Sequence, residues 1–258
     1  GANALLYYAD RLYQLPLGVI GIAIGVVLLP SLTRQLRGGH EDQYQRSLNN
    51  ALEFSLVLTL PAAVALAVIP HEIVSVLFQR GKFDAVAVDG TAMALAAFSF
   101  GLPAFVLNKV FSPGYFARED TKTPMWFAAI GMVVNVALSV ALFPIFKHVG
   151  IALATTIAGW VNTGLLGIVL WRRGHFSPDA RILRKLVLIL VASLLMGVIL
   201  HFSAVGLKDW LFGPALPIRA AALAALVGVG MASFGIFAQV TGASNLIGHA
   251  KSLKRRNT

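Results

Sequence analysis

The sequence predicts an all-α polytopic membrane protein with seven transmembrane helices. Its 258 residues are 57% hydrophobic and 12% charged, with a mean hydropathy of +0.77, whereas about a quarter of the residues in a soluble domain are charged. The charged residues also leave long uncharged runs between them. Composition and charge spacing together indicate a chain that needs lipid as its solvent.

Seven runs are long enough, or nearly so, for one helical crossing, which takes roughly 20 apolar residues. They cover residues 12–33, 54–71, 90–108, 123–146, 148–171, 186–207 and 220–250. Open strands are excluded, because each unpaired backbone group in lipid would cost several kcal/mol. Residues 72–83 mix apolar and polar side chains, which suits either a short helix at the outer interface or an ordinary ordered loop.

The basic residues predict the orientation, since cytoplasmic loops are enriched in Lys and Arg. One set of alternate connections carries Arg34, Arg37, Arg46, Arg118, Lys122, Arg172, Arg173, Arg181, Arg184, Lys185, Lys251, Lys254, Arg255 and Arg256. The other set carries only Arg80, Lys82, Lys147, Lys208 and Arg219. We expect the richer side, with the C-terminus, to be cytoplasmic. Gly1 then lies outside without a signal sequence or initiating Met, so we expect further spans upstream.

A charged side chain within a span is a candidate functional group, because its insertion costs about 2.5 kcal/mol or more. Arg11 lies at the start of the first span, directly after Asp10. Its planar guanidinium can grip a phosphate in two places. We therefore take Arg11 as a candidate for binding a diphosphate. A structural pair with Asp10, or an extended side chain reaching the interface, would also explain it.

Helical spacing extends the site along the first span. One stripe of the helix carries Arg11, Gln14, Gly18, Gly21 and Gly25. This stripe should face a cavity or another helix. The Gly21-x-x-x-Gly25 spacing is also typical of close helix packing.

The third span carries a second cation, Lys109, between Pro103 and Pro113. The prolines predict a span that bends beside a wet cavity, since the carbonyls that they release need neighbours or water. Lys109 lies either on a substrate path or near enough to the cytoplasmic end to reach water. The uncharged polar residues of the fourth and fifth spans predict interhelical hydrogen bonds. They are Asn135, Ser139, Thr155, Thr156 and Asn162.

The sequence offers no enzyme chemistry that we can identify. Cysteine is absent and the six histidines are isolated from one another, so no metal site is expected. No nucleotide-binding glycine loop is present, and the loops hold no nucleophile with a base. We expect no enzymatic activity, no cofactor and no nucleic-acid partner, because the net charge of +10 is explained by the membrane topology.

Three stretches carry a family resemblance. They are residues 7–18, which read YYADRLYQLPLG and run on to LLPSL at 28–32, residues 113–124, which read PGYFAREDTKTP, and residues 77–83, which read LFQRGKF. In these residues the chain closely resembles the MurJ/MviN family of lipid II flippases. The order and spacing of the motifs match over essentially the whole chain.

The resemblance implies a partial fold of the multidrug/oligosaccharidyl-lipid/polysaccharide exporter (MOP) superfamily. This chain would be helices eight to fourteen of a fourteen-helix transporter. Residues 1–174 would form the five spans of the C-lobe, and residues 175–258 two C-terminal transmembrane helices with a basic cytoplasmic tail. The N-lobe and the seventh helix would be the missing partners.

The implied activity is flipping of lipid II, a polyprenyl diphosphate-linked disaccharide peptide, from the cytoplasmic to the periplasmic leaflet. It would proceed by alternating access in the bacterial inner membrane, with lipid II and membrane lipids as partners. By motif, Arg11 matches the arginine of the C-lobe cavity and Asp10 its neighbouring acid, while Gln14 stands where some members have Glu. With Lys109, these are the candidate substrate-binding residues.

Other functions remain open from the sequence. A flippase for another polyprenyl-linked oligosaccharide, or a drug exporter of the same superfamily, would share the features above. In a non-transporting membrane scaffold, the polar stripe would only pack helices. Some relatives also bind sodium in the C-lobe. Asn135 and Thr155 are the matching candidate ion ligands, whereas Ser139 stands where an aspartate would help.

Overall fold

The computed structural model describes residues 2–178, 180–213 and 215–242, and within these ranges the chain is helical with short connections and no strand. The helices are α1 (Ala2–Arg37), α2 (Glu41–Val68), α3 (Pro70–Phe78), α4 (Ala85–Ser99), α5 (Leu102–Phe116), α6 (Lys122–Arg172), α7 (Ala180–Gly206), α8 (Lys208–Leu211) and α9 (Leu216–Val240). The predicted all-α class is confirmed. Residues 72–83, for which a helix or a loop was expected, contribute most of α3.

Helix α6 is a hairpin that supplies two of the predicted crossings. Its 51 residues would extend about 75 Å if straight, against a hydrocarbon thickness of about 30 Å. The backbone leaves the helical conformation at Lys147, where φ is 51°. Beyond this turn the second arm runs back along the first, so that Asn135 Nδ2 donates to Thr155 Oγ1 over 3.1 Å. Among the described residues, six helical segments are long and apolar enough to span a membrane. Because the α6 hairpin supplies two crossings, they give the seven crossings expected.

The third predicted span is broken rather than bent. Helix α4 ends at Ser99 and α5 begins at Leu102, with Pro103 in its first turn. This segment lies at the centre of the helices. Of its apolar 18-residue stretch, 78% is buried within the protein, compared with 6% for that of α6. The structure shows a break where a bend was expected, and the wet cavity beside this span stays a prediction. Three carbonyl groups at and near the break accept hydrogen bonds from protein side chains.

The second arm of α6 supplies those partners from one face. Thr156 Oγ1 donates to Ala97 O over 2.9 Å, Trp160 Nε1 to Phe100 O over 2.9 Å, and Thr163 Oγ1 to Ala104 O over 2.7 Å. In an apolar environment an unpaired carbonyl is costly. These three bonds tie the second arm of α6 to both sides of the break.

Two apolar cores share helix α2. The larger one unites α1, α2, α4, α5 and the second arm of α6. The smaller one is formed by α7, α8 and α9 packed against α2 and α3. Because α2 belongs to both cores, the division into residues 1–174 and 175–258 stays a prediction. The predicted basic tail lies outside the described residues, which end at Gly242.

The connections alternate between two ends of the helices. At the end that we call the basic end, α1 leads into α2, α5 into α6, and α6 into α7. The motif at 113–124 holds this end together. Arg118 pairs with Glu41 at the start of α2, and Arg173 pairs with Asp120 over 2.7 Å.

The carboxyl group of Asp120 lies between two partners at the basic end, Thr123 and Arg173. Burial alone would raise the pKa of Asp120, but hydrogen bonds from Thr123 and the ion pair with Arg173 outweigh it and lower the pKa to about 2. The ionised form is thus favoured by the folded protein. This interaction joins the two ends of the α6 hairpin.

Candidate functional site: a cationic stripe on the first helix

Helix α1 carries most of the predicted site. Its 36 residues extend about 54 Å. One face is buried against α2, α4 and α5 at helical spacing, through Ala9, Leu12, Ile20, Ile24, Leu28 and Leu32. Another face exposes the apolar side chains of Leu15, Val19, Ile22 and Val26. The predicted polar stripe runs between these two faces.

Arg11 is exposed and does not pair with its neighbouring acid. Asp10 instead accepts a hydrogen bond from Gln14, one helical turn further along. The guanidinium of Arg11 lies over the ring of Tyr7, with 4.9 Å between the guanidinium carbon and the ring centroid. Among the described residues no carboxylate forms an ion pair with Arg11. The structural pair with Asp10, which the sequence left open, is therefore not observed.

The glycines of the stripe form an open groove. A methyl group placed on Gly18 or Gly25 would meet nothing within 4 Å among the described residues, and one on Gly21 would lie 3.6 Å from Lys109 Cγ. Close packing through the Gly21-x-x-x-Gly25 spacing is thus not seen within the described chain. The glycines therefore leave this strip of α1 uncovered by the described residues, and another molecule or helix can lie against it.

Lys109 reaches this groove from helix α5. Its aliphatic stem packs beside Gly21, and its side chain is exposed. Gly21 follows Arg11 by ten residues, or about 15 Å along the helix axis. The structure thus places Asp10, Arg11 and Gln14 before the glycines of the stripe and Lys109 beside the middle one, Gly21.

The groove rests on a rigid aromatic layer. Tyr13 projects from α1 and stacks on Phe98 of α4, with ring centroids 5.0 Å apart, and its ring lies 5.8 Å from that of Phe105 of α5. The ring of Phe105 fits so closely against Gly159 and Gly101 that an added methyl group would come within 2.8 Å and 2.9 Å of it. These contacts fix α1 relative to α4 and α5. The position of the stripe is therefore well defined.

The candidate ion ligands form a hydrogen-bonded cluster on the α6 hairpin. Asn135 donates to Thr155, Ser139 Oγ donates to Asn135 Oδ1 over 3.3 Å, and Thr155 Oγ1 donates to Ile151 O over 2.9 Å. Hard cations prefer several oxygen ligands, usually with carboxylates among them. The oxygens here are neutral and already engaged with one another. These bonds support the interhelical hydrogen-bonding role that the sequence also predicted, and the assignment of Asn135 and Thr155 as ion ligands stays a prediction.

The sequence did not connect Tyr8 with residues 77–83. The structure places the ring of Tyr8 4.9 Å from that of Phe78 and 5.2 Å from that of Phe83. Both segments belong to stretches that carry the family resemblance, and this was the only feature of the sequence that could have linked them. Their contact depends on how α1 packs against the α3–α4 connection, and a linear sequence does not show that packing.

Comparison with known proteins decides the family. The family model described as lipid II flippase MurJ matches residues 1–221. The chain belongs to the MurJ family. A MurJ relative from Rhizobium tropici, "Probable lipid II flippase MurJ", is 44% identical over 257 residues, which cover 99% of this chain and 48% of that protein. A relative of the same name from Rhizobium meliloti (strain 1021) is 45% identical over 260 residues, with the same coverage.

Solved structures confirm the MurJ fold. "Lipid II flippase MurJ, inward closed conformation" superposes with a TM-score of 0.75 at 25% identity, over 93% of this chain and 47% of that one. "Crystal structure of MATE in complex with MaL6" has a TM-score of 0.55 at 17% identity, over 94% of this chain and 57% of that one, which shows the shared fold alone. The chain spans about half the length of the MurJ relatives that it matches. It is a multi-pass membrane protein with part of the MurJ fold.

Proposed function

We propose that this chain is the C-terminal half of a transporter that flips lipid II from the cytoplasmic to the periplasmic leaflet of the bacterial inner membrane. Its relatives are named lipid II flippases. The observation that carries the proposal is Arg11, a guanidinium on an apolar helix without a carboxylate partner among the described residues, beside an open glycine groove. Such a cation is costly in lipid unless it meets an anion.

The groove suits a diphosphate with an attached lipid. The fork of Arg11 can donate two parallel hydrogen bonds to phosphate oxygens, and Lys109 adds a second positive charge further along. Asp10 accepts a hydrogen bond from Gln14 and forms no ion pair with Arg11 among the described residues, so the guanidinium donors stay available. Transport requires only that the protein bind, reorient and release the head group, so no bond of the substrate is broken and no cofactor is needed.

The remaining expectations belong to the same proposal. The basic end faces the cytoplasm, because it carries most of the Lys and Arg of the connections. An N-lobe completes the cavity, and rocking of the two lobes exposes the groove to each side in turn. Residues 1–174 form the C-lobe, and α7 and α9 belong to a unit beside it that can hold the polyprenyl tail.

The test is the substitution of Arg11 in a full-length transporter that contains this chain. Hydrogen bonds to charged groups contribute about 1.5–3 kcal/mol, so we expect Arg11→Gln to lower the rate of lipid II flipping in reconstituted vesicles roughly 10- to 100-fold. We expect Arg11→Lys to retain part of the activity, since it keeps the charge but loses the fork.

The matched control is Arg181→Gln, which removes an exposed arginine at the start of α7. It should leave flipping unchanged. The amount of the Arg11→Gln variant in the membrane distinguishes a transport role of Arg11 from a role in a membrane scaffold. Normal abundance of Arg11→Gln with lost flipping supports the proposal, whereas lost abundance, or normal flipping, contradicts it.

A further inference from the structure

A pocket of about 510 Å³ lies at the end of the protein opposite the basic end, outside the stripe described above. Its lining consists of Tyr8, Leu77, Phe78, Arg80, Lys82 and Phe83. We call it the outer pocket. It forms where the start of α1 meets the connection between α3 and α4.

Three aromatic rings make the wall of the outer pocket. Tyr8 lies 4.9 Å from Phe78 and 5.2 Å from Phe83, and Phe78 and Phe83 lie 6.0 Å apart, measured between ring centroids. Tilted and edge-on contacts of this kind are favourable. The rings support one another, so the wall is formed before any ligand arrives.

A tight turn places two cations on the rim. Phe83 N donates to Arg80 O over 3.1 Å, which closes a four-residue turn. Gly81 within this turn has a φ of +58°, a conformation that favours glycine. The turn thereby holds Arg80 and Lys82 beside the same aromatic wall.

These cations lack an internal counter-charge. Neither Arg80 nor Lys82 forms an ion pair within the described part of the chain. The nearest acid along the sequence, Asp84, accepts from Ala87 N and caps helix α4. One guanidinium nitrogen of Arg80 donates to Leu77 O, which fixes the side chain and leaves its other donors available.

A third cation at the same end, Arg219, differs because its donors are used by protein acceptors. Arg219 donates to Leu211 O over 3.1 Å, to Ser75 O over 2.8 Å and to Ser75 Oγ over 2.9 Å. Its donors hold α9 to α3 and α8. Arg219 is thus a structural cation, whereas the two cations of the outer pocket have donors that protein acceptors do not use.

The outer pocket also lies next to the proposed substrate groove. Tyr8 precedes Arg11 by three residues, or about 4.5 Å along the axis of α1. We propose that the outer pocket binds the phosphate group of a membrane lipid. Arg80 and Lys82 hold the phosphate oxygens, and the aromatic wall contacts the adjoining part of the lipid.

Two sources share this phosphate chemistry. One is the diphosphate of the transported polyprenyl lipid after it passes Arg11, and this source rests on the proposed function. The other is a resident anionic phospholipid, which does not depend on transport. The experiment must therefore measure binding at the outer pocket separately from binding at Arg11.

The test uses the full-length transporter with Arg11→Gln as the background, so that the groove no longer contributes its arginine. Native mass spectrometry measures binding of a short-chain polyprenyl diphosphate. Adding R80Q/K82Q should weaken this binding about tenfold, the loss expected for one or two charge-assisted contacts at an accessible site. R80K/K82R keeps both charges and should retain most of the affinity.

The control K147Q/K208Q removes two other exposed cations predicted for the same side, and should change the affinity less than twofold. Unchanged binding in R80Q/K82Q, or an equal loss in the control, would overturn the proposal. Competition with phosphatidylglycerol assigns the source. If phosphatidylglycerol displaces the polyprenyl diphosphate at a similar concentration, the pocket holds a resident phospholipid. If phosphatidylglycerol does not displace it, the pocket holds the transported diphosphate. The flipping rate of Arg11→Gln tests the proposed function independently of this binding.

Discussion

The hydroxyl of Thr156 donates a hydrogen bond to the carbonyl oxygen of Ala97 over 2.9 Å, across the interface between α6 and α4. Thr156 is buried, and Ala97 lies near the end of α4, just before the break at Phe100 and Gly101. A helix end leaves carbonyls without backbone partners. Here a neighbouring helix supplies the donor, and a broken helix can occupy the centre of a membrane protein.

This relationship predicts the effect of Thr156→Val, which keeps the shape of the side chain and removes its hydroxyl group. The carbonyl of Ala97 would lose its donor in a buried position, and we expect the free energy of unfolding to fall by about 1 kcal/mol. Chemical unfolding of the purified full-length protein measures this change in the free energy of unfolding. Thr33→Val is the control, because Thr33 donates only within its own helix, to Leu29 O. Equal losses in both variants would contradict the prediction.

Two glycines on the second arm of α6 should respond to alanine in opposite ways. A methyl group on Gly159 would lie 2.8 Å from the ring of Phe105, whereas one on Gly164 would meet nothing within 4 Å in the described part of the protein. Overpacking costs about 1–3 kcal/mol, so Gly159→Ala should lower the melting temperature. Gly164→Ala should leave it unchanged or raise it, because alanine favours a helix by about 1 kcal/mol. A lower melting temperature for both would show that helix geometry, not the Phe105 contact, is responsible.

The ion pair between Asp120 and Arg173 predicts a pH dependence of stability. The pKa of Asp120 is lowered from 3.8 to about 2 in the folded protein, so its stabilisation is complete above pH 4 and is lost as the pH falls towards 2. Because both side chains are partly exposed, we expect a contribution of about 1 kcal/mol or less.

Unfolding of the wild type and Asp120→Asn at pH 7 and pH 3 measures this contribution. The variant should be less stable at pH 7, and the difference should shrink at pH 3. Asp209→Asn provides the control, since Asp209 forms no ion pair among the described residues. A difference that stays constant between the two pH values would refute the role of the Asp120 charge.

The contacts of Arg219 predict how α9 is held. Arg219→Gln should lose its bonds to Ser75 and Leu211 and loosen the connection between α7 and α9. Leaving a buried polar group without its partner costs about 1–3 kcal/mol, so proteolysis in the region 207–216 should accelerate roughly tenfold. Limited digestion of the full-length protein in vesicles measures the rate. Lys208→Gln should digest as the wild type does, and an equal acceleration there would count against the anchor.

The crossings could be predicted from sequence because they depend on local properties. Uncharged runs of the right length fix the apolar segments, and spacing by three and four residues fixes which side chains share a stripe on α1. For the same reason, Arg11 and Gln14 could be placed together. The bond from Gln14 to Asp10 is local too, although from the sequence only Arg11 was considered as a partner of this acid.

The features that escaped prediction depend on residues far apart in the chain. The break between α4 and α5 is tolerated because its partners, Thr156, Trp160 and Thr163, follow more than fifty positions later. Lys109 and Gly21, and Tyr8 and Phe83, are likewise in contact although they lie far apart in the sequence. Helix packing brings these pairs together, and neither periodicity nor composition encodes it directly.

The turn at Lys147 has a consequence for how the protein is made. Its two arms are joined by a single non-helical residue. This connection is too short for one arm to lie in the bilayer while the other remains in water. We therefore expect the two arms to enter the bilayer together, as a helical hairpin. Lys147 lies exposed at the tip of this hairpin, where its ammonium group can remain in water after insertion.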